Sequence, residues 1–484
     1  MASGGLKMLT SGSPLVNGAI LLVIILFTGF VLTRPKKLDL PIVGSFRADQ
    51  RQALVEGTRK YPDRPFLVPI VPPLVILPIS VIDEVRNLPE NKTSFIQDIQ
   101  RSFTAKHTGI GKEAGPELIQ ALKLDLTKHL ASTIDDMQDE IGYGLDKELG
   151  SCKDWTSIPM YPKVTRLVGL LSGRVFVGLP LSRNEEWLKS SIEYALLCMG
   201  ARDAINAYPE FIRTIVAPFL KEVQILKYVR NRGVELVKPL LAAGQENMIT
   251  WIQNRIKKKD PEKIANNQMS LSFAAVHTTS MAITAAIYDL CAYPEYIEIL
   301  REEIQQIDGV TKTNLAKLWK LDSFLKESQR LTPSSLVTNV RLVTSPLNLS
   351  TGTLPAGSRF GFAAWAIHTP HLPFDGLRYY KLRQIPGNEN RHQFVTTSPE
   401  SMNFGHGNHA CPGRFLAANE IKIVLIELLT KLRCFTGPRG WGGPVLPLVG
   451  TGVPNLFELY PCCELCPKST HPFSALFHAL LLLL

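Results

Sequence analysis

Apolar residues run without a charge from Leu15 to Leu32, and the rhythm of the chain then changes twice. As a helix that first run would rise about 27 Å, close to the hydrocarbon thickness of a bilayer. Arg34, Lys36 and Lys37 follow it and only Lys7 precedes it, so the positive-inside rule puts the rest of the chain in the cytosol. A cleaved leader would carry a shorter apolar stretch and a small-residue cleavage site, which Thr33-Arg34-Pro35 is not. The pattern predicts a short lumenal segment at 1–14, a single-pass transmembrane anchor at 15–33 and a stiff hinge at 34–44 containing Pro41 and Gly44. From about 45 to 100, short β-branched runs (Phe66-Leu-Val-Pro-Ile, Leu74-Val-Ile-Leu) alternate with proline turns and predict strands of a small sheet. From about 115 to 305 the helical period dominates. The charged run from Arg255 to Lys263 is expected to be a solvated loop. Further helices are expected around Leu321–Leu331 and Phe415–Leu429. The pattern describes a mainly α fold with small β-sheets, one large domain over 45–436 and a tail over 437–484 that begins rich in Gly and Pro.

Composition narrows the class. Hydrophobic residues make up 45% of 484, enough for a sizeable core. The 53 basic and 43 acidic residues leave a charge of +10 that is spread along the chain, which argues against nucleic acid and for a membrane surface or an acidic protein partner. The eight cysteines form no disulfide framework, which suits a reducing compartment.

One cysteine stands apart. Cys411 closes the stretch Phe404-Gly-His-Gly-Asn-His-Ala-Cys411-Pro412-Gly413-Arg414-Phe415 and opens the last apolar helix. Pro412 suits a first helical position, the next N–H groups would point back at the sulfur, and the positive helix end favours a thiolate. Gly405, Gly407 and Gly413 leave room for a flat, bulky body beside the backbone. These residues resemble the heme-binding signature F-x-x-G-x-x-x-C-x-G of the cytochrome P450 family, in the form found in its filamentous-fungal branch. The resemblance implies a cytochrome P450 fold behind the anchor, heme b as cofactor, Cys411 as the axial ligand of its iron, and Phe404, Gly405 and Gly413 beside it.

Around Ser270 to Leu290 the small residues Ala274, Ala275, Thr278, Ala282 and Ala285 fall near one helix face. By periodicity alone such a stripe suits helix packing as well as the approach of a flat body. Ala274-Ala-Val-His-Thr-Thr279 resembles the family's distal-helix motif (A/G)-G-x-(D/E)-T-T, which implies that Ala274 and Ala275 flank the heme and that Thr278 is the catalytic threonine that manages oxygen. Ala275 replaces the motif's glycine and His277 its acid, so a route for protons through position 277 is an open question. Glu327 and Arg330, three apart on a helix, resemble the family's E-x-x-R pair, and Arg378 matches its second arginine, implying a buried ionic cluster. Arg341 and His409 match positions that hold the heme propionates.

Family resemblance covers roughly residues 15–436 and includes Arg174-Val-Phe-Val-Gly-Leu-Pro-Leu-Ser-Arg-Asn-Glu-Glu-Trp187, which is similar to a signature of fungal secondary-metabolism members. It implies a monooxygenase of the endoplasmic reticulum membrane that acts with O2 on a small apolar substrate, a terpenoid or indole-terpenoid. Electrons would come through a separate NADPH-cytochrome reductase, since no flavin or nicotinamide motif is present. Pocket candidates are His107–Ile110, Phe273 and Ser334–Val337. Two alternatives are a heme-thiolate isomerase or dehydratase, and a catalytically impaired product of a gene with an altered end. The second is prompted by the tail, where Gly and Pro dominate Gly437–Gly452 and Cys462, Cys463 and Cys466 cluster without completing a zinc site.

Overall fold

The computed structural model describes residues 38–45, 50–150, 158–256, 260–368 and 372–431, with residues 18, 21 and 28 in isolation. Apart from those three positions, the expected anchor lies outside the described residues, as do the tail 437–484 and its cysteines. The helices that frame the site are α1 (Gln50–Lys60), α2 (Phe95–Ser102), α3 (Ser132–Glu148), α4 (Met160–Phe176), α5 (Glu185–Asn206), α6 (Lys221–Val237), α7 (Pro261–Ala292), α8 (Trp319–Leu331) and α9 (Arg414–Lys431).

The core is built around α7. It packs on α4, α5, α6, α8 and α9, and its length and hydropathy would suit a membrane span, but most of its apolar window is buried inside the protein. A helix hydrophobic all round is what a central core helix should be. It starts earlier than the apolar pattern indicates. Asp260 caps it by accepting hydrogen bonds from the Glu262 and Lys263 N–H groups, and Pro261 sits in its first turn. The last three residues of the charged run are therefore helical, because an Asp-Pro-Glu start outweighs their polarity.

A five-stranded sheet lies to one side, in the order β1 (Phe66–Val68), β2 (Leu74–Ile76), β7 (Arg359–Phe362), β4 (Thr338–Val343), β3 (Thr93–Ser94). The β2–β7 pair is parallel and the other pairs are antiparallel. β5 (Leu347–Leu349) and β6 (Gly352–Leu354) form a separate hairpin. The two strands expected near residues 66 and 74 are there and pair with each other, Phe66 opposite Ile76. The same region also holds α1 and α2, which the strand-like reading passes over. The β4–β7 register shifts between Thr338 and Arg341, with Asn339 at φ 53° inside the irregularity.

Candidate active site

The cysteine loop is stitched to three other parts of the fold. Cys411 N–H donates to the Phe404 carbonyl at 2.7 Å, closing the loop on itself, and Arg414 Nη1 donates to the Cys411 carbonyl at 2.8 Å. Asn339, left-handed at the bulge of β4, grips His406 on both sides: its Nδ2 donates to the His406 carbonyl at 3.0 Å and its Oδ1 accepts the His406 N–H at 2.9 Å. Asn403 Nδ2 reaches the Gln329 carbonyl on α8, and the Asn408 N–H reaches the Arg86 carbonyl.

Two of the loop glycines serve this stitching. Gly405 (φ +68°) lies so close to Asn339 that a Cβ would sit 3.1 Å from its Oδ1, and at Gly407 (φ +79°) a Cβ would collide with the Arg86 backbone. Only Gly413 faces open space, with nothing within 4 Å of where its Cβ would be. The room expected beside all three glycines is thus found at one.

The helix after the cysteine opens at Arg414, so Pro412 lies in the preceding turn instead of the first helical position. That turn leaves the Gly413 and Arg414 N–H groups as hydrogen-bond donors to the thiol. Burial pushes the Cys411 thiol up, against the Gly413 N–H, the Arg414 charge and the Arg414 N–H, which pull it down. The helix end alone therefore does not create a thiolate in the bare chain, because desolvation is the larger effect. A coordinated metal ion would deprotonate the sulfur. The other described cysteines are poorer ligands: burial pushes Cys291 to about 11 and Cys198, fully buried, further still.

On α7 an accessible strip interrupts an otherwise buried helix. Ala274 is exposed and Ala275, Thr278 and Ala282 are half-buried, whereas Phe273, Val276, His277 and Thr279 are buried. Ala285, expected on the same strip, is buried at 5% exposure, so the strip stops short of it. Thr278 Oγ1 donates to the Ala274 carbonyl at 2.7 Å, leaving its lone pairs free to accept. His277 is on the other side. Its Nδ1 lies 3.0 Å from the Tyr161 hydroxyl on α4 and its Nε2 lies 2.8 Å from the Ile192 carbonyl on α5. It joins helices and does not touch the open strip, and burial lowers its pKa.

Glu327, fully buried, holds both arginines. Arg330 donates to it at 2.7 and 2.9 Å and Arg378 at 3.1 and 3.2 Å, while the Asp375 N–H adds a fifth donor at 3.0 Å. Arg330 also caps the His368 and Leu372 carbonyls, tying α8 to the segment that carries Arg378. Residues absent from the family motifs extend the cluster toward the cysteine loop: His368 Nε2 accepts the Met402 N–H, and Lys326, lowered to about 8 by burial, donates to the Gln393 and Thr396 carbonyls. Asn339 and His368 were detectable only weakly, as an Asn two residues before a key arginine and as one histidine among several.

Arg341 is 6% exposed, and among the described residues it has no carboxylate partner. Its guanidinium donates to the Val340 carbonyl at 2.6 Å and the His409 carbonyl at 3.4 Å, and burial lowers it to about 10. A buried cation whose hydrogen bonds go to carbonyls, with the Phe95 ring 5.2 Å away and Glu90 and Asp98 acting only from a distance, is poised for an anion. The His409 ring turns elsewhere, with Nε2 3.0 Å from the Leu88 carbonyl and Nδ1 3.7 Å from Glu90. Of the pocket candidates, Ile110, Phe273, Leu336 and Val337 are buried, and Phe273 stands edge-on to Phe103 at 5.2 Å.

A cysteine with two backbone donors, open space at Gly413, a buried arginine with no direct ion pair among the described residues and a strip of small residues on a helix packed against α9 together fit a flat dianionic macrocycle with a thiolate-bound metal. A family model described as Cytochrome P450 matches residues 203–441. The chain is 46% identical to the cytochrome P450 monooxygenase ascG of Acremonium egyptiacum, covering 87% of this chain and 89% of that one. It is 39% identical to the monooxygenase BOA7 of Botryotinia fuckeliana, over 88% and 89%. With ataF of Aspergillus terreus the identity is 36%, over 83% and 86%. The chain belongs to the cytochrome P450 family. It is a monooxygenase, an oxidoreductase whose cofactor is heme b.

Proposed function

We propose that this monooxygenase inserts one atom of O2 into an apolar fungal secondary metabolite, a terpenoid or indole-terpenoid, with electrons from NADPH through a separate cytochrome reductase. Heme b, when bound, supplies the redox-active iron at which O2 is activated, one atom going to substrate and the other to water. Cys411 would hold the iron through its sulfur, and Arg341 and His409 would face the propionates. For His409 this requires its ring to leave the Leu88 carbonyl. Phe404, Gly405 and Gly413 would lie against one side of the macrocycle and Ala274 and Ala275 against the other. Thr278 would act as the catalytic hydroxyl, passing on the proton it now gives the Ala274 carbonyl. Glu327, Arg330 and Arg378 would keep the cysteine loop in place without touching substrate.

The domain arrangement belongs to the same reading: lumenal residues 1–14, anchor 15–33, hinge 34–44 and catalytic domain 45–436 in the cytosol at the endoplasmic reticulum, followed by the tail. The observation that carries it is the pairing of Cys411, stitched in place by Phe404 and Asn339, with an accessible strip at Ala274–Thr278 on a helix that packs against α9. Reconstitution with a fungal reductase, NADPH and isotopically labelled O2 tests it. The product should carry one labelled oxygen and require both reductase and NADPH. Turnover without NADPH would point to an isomerase or dehydratase, and failure to retain heme would point to an impaired product.

A further inference from the structure

Over the distal side, the 103–110 segment meets α5 and α6, and the junction holds two arginines, one of which has no carboxylate partner among the described residues. Arg230 of α6 lies directly over Gly109, where φ is +79° and any Cβ would overlap the guanidinium. Its Nε is buried without an acceptor, and among the described residues no carboxylate pairs with it. Its charge is close enough to Tyr194 and Cys198, both buried on α5, to act on each. Arg202 of α5 is also buried, at 5% exposure. It is held on one side by Asp203 at 2.6 Å, but its Nη1 is buried and unpaired. Its guanidinium stands 5.7 Å from the Phe103 ring, which meets Phe273 edge-on, one residue before the open Ala274. A buried, unpaired nitrogen on each guanidinium, one on buried Arg202 and one on half-buried Arg230, is costly, and an oxyanion would satisfy it.

A second feature points the same way. Along the same segment lies an open surface cavity of about 560 Å³ whose lining includes Arg101, Lys106 and Lys112 and no carboxylate. Arg101 donates to the Gly357 carbonyl and Lys106 to Thr214 Oγ1, so both charges stay uncompensated. A cleft lined by one sign of charge concentrates ligands of the other.

We propose that this junction binds the carboxylate of an otherwise apolar substrate, with Arg230 as the anchor, Arg202 as its neighbour and the cationic cavity as the approach. The proposal rests on the monooxygenase reading and narrows its substrate to a lipophilic acid. Arg230 is a specificity-determining residue on this account, and α6 positions it while Gly109 makes room.

The test compares three apolar acids of different shape, dodecanoic, abietic and 4-octylbenzoic, with their methyl esters on the heme-loaded full chain. Binding is read twice, from the shift in unfolding temperature and from the change in the heme absorption band. At least one acid should bind ten times or more tighter than its ester. Arg230→Gln should bring that ratio close to one while ester binding stays put, and Arg230→Lys should keep part of it. Equal binding of acid and ester, no binding by any acid, or a ratio unchanged in Arg230→Gln overturns the proposal. Should Arg230→Gln lose its cooperative melt, Arg202→Gln takes its place, and an unchanged ratio there overturns it equally. The thermal readout does not depend on the iron's ligand. A heme band without thiolate character would therefore sink the monooxygenase reading alone, and equal acid and ester binding beside a normal band would sink only the anchor.

Discussion

At position 277 a histidine stands where the family motif carries an acid, and its ring holds three helices together. A carbonyl can only accept, so Nε2 must donate to Ile192, and Nδ1 is left to accept from the Tyr161 hydroxyl. The ring is thereby fixed as the neutral Nε2–H tautomer, and burial lowers its pKa in the same direction. Protonation would end the donation from Tyr161 and require its hydroxyl to turn and accept. His277→Leu is expected to destabilise the fold by about 2–3 kcal/mol, from two lost hydrogen bonds and the groups they leave unpaired. The pH dependence has a definite sign. Because the folded ring resists protonation, its contribution is complete above the ordinary histidine pKa of about 6.5 and is lost as pH falls below it. Denaturant unfolding across that window should show a slope in the native protein that shrinks in His277→Leu, and an unchanged slope would count against the tautomer. The chemical oddity of residue 277 was plain in the sequence. Its partners were not, because they lie 116 and 85 residues away and no local pattern predicts which carbonyl a histidine will meet.

Among the elements, α8 carries the heaviest constraint. Glu327 receives five hydrogen bonds, so removing Arg330, whose side chain is 7% exposed, leaves a buried carboxylate half satisfied. Arg330→Ala should cost about 3–5 kcal/mol and lower the heme-to-protein ratio, and Arg330→Lys should not restore it, since a lysine cannot reproduce the fork. A ratio equal to native in the alanine variant would contradict this. The helices α4 and α9 are joined differently, by Ser172 Oγ donating to Glu420 at 2.7 Å, and among the described residues no cation pairs with that carboxyl. Burial raises Glu420 to about 8, so its stabilising neutral form is favoured at low pH and is lost as pH rises from about 4.5 to about 8. Glu420→Gln keeps the acceptor without the charge. It should melt like native near pH 5 and above native at pH 8, and the opposite order would refute a buried neutral acid. Element positions followed the hydrophobic period well for α7, α8, α9 and the β1–β2 pair. The period failed where polar capping decided a boundary, as at Asp260, and where a polar helix, α1, packs without an apolar run. The stretch from Arg174 to Trp187 owes its form to a corner: Arg174 pairs with Asp136, Arg183 with Asp139 and Glu140, and Asn184 caps α5 through the Trp187 N–H.

Across the whole molecule the site is assembled from segments far apart in sequence, with β4, α8 and the cysteine loop joined through Asn339, Asn403 and His368. The motifs pointed to Cys411, to Thr278 and to the Glu327, Arg330 and Arg378 contacts because each is a fixed spacing of chemically distinctive residues, and the last of these is formed. The tethers between them were silent, being ordinary polar residues whose meaning comes only from three-dimensional neighbours. Deleting residues 1–37, ahead of the first continuous described segment, should move the protein from the membrane pellet to the supernatant with its heme-to-protein ratio kept. A truncated protein still in the pellet would contradict the anchor. The most direct test of the central claim is the carbon monoxide difference spectrum of the reduced protein, native beside Cys411→Ser. The native protein should show the red-shifted Soret band of thiolate-ligated heme, and the serine variant should lose it. A native band at the shorter wavelength of other ligands, or a serine variant that keeps the red-shifted band, would contradict sulfur ligation at position 411.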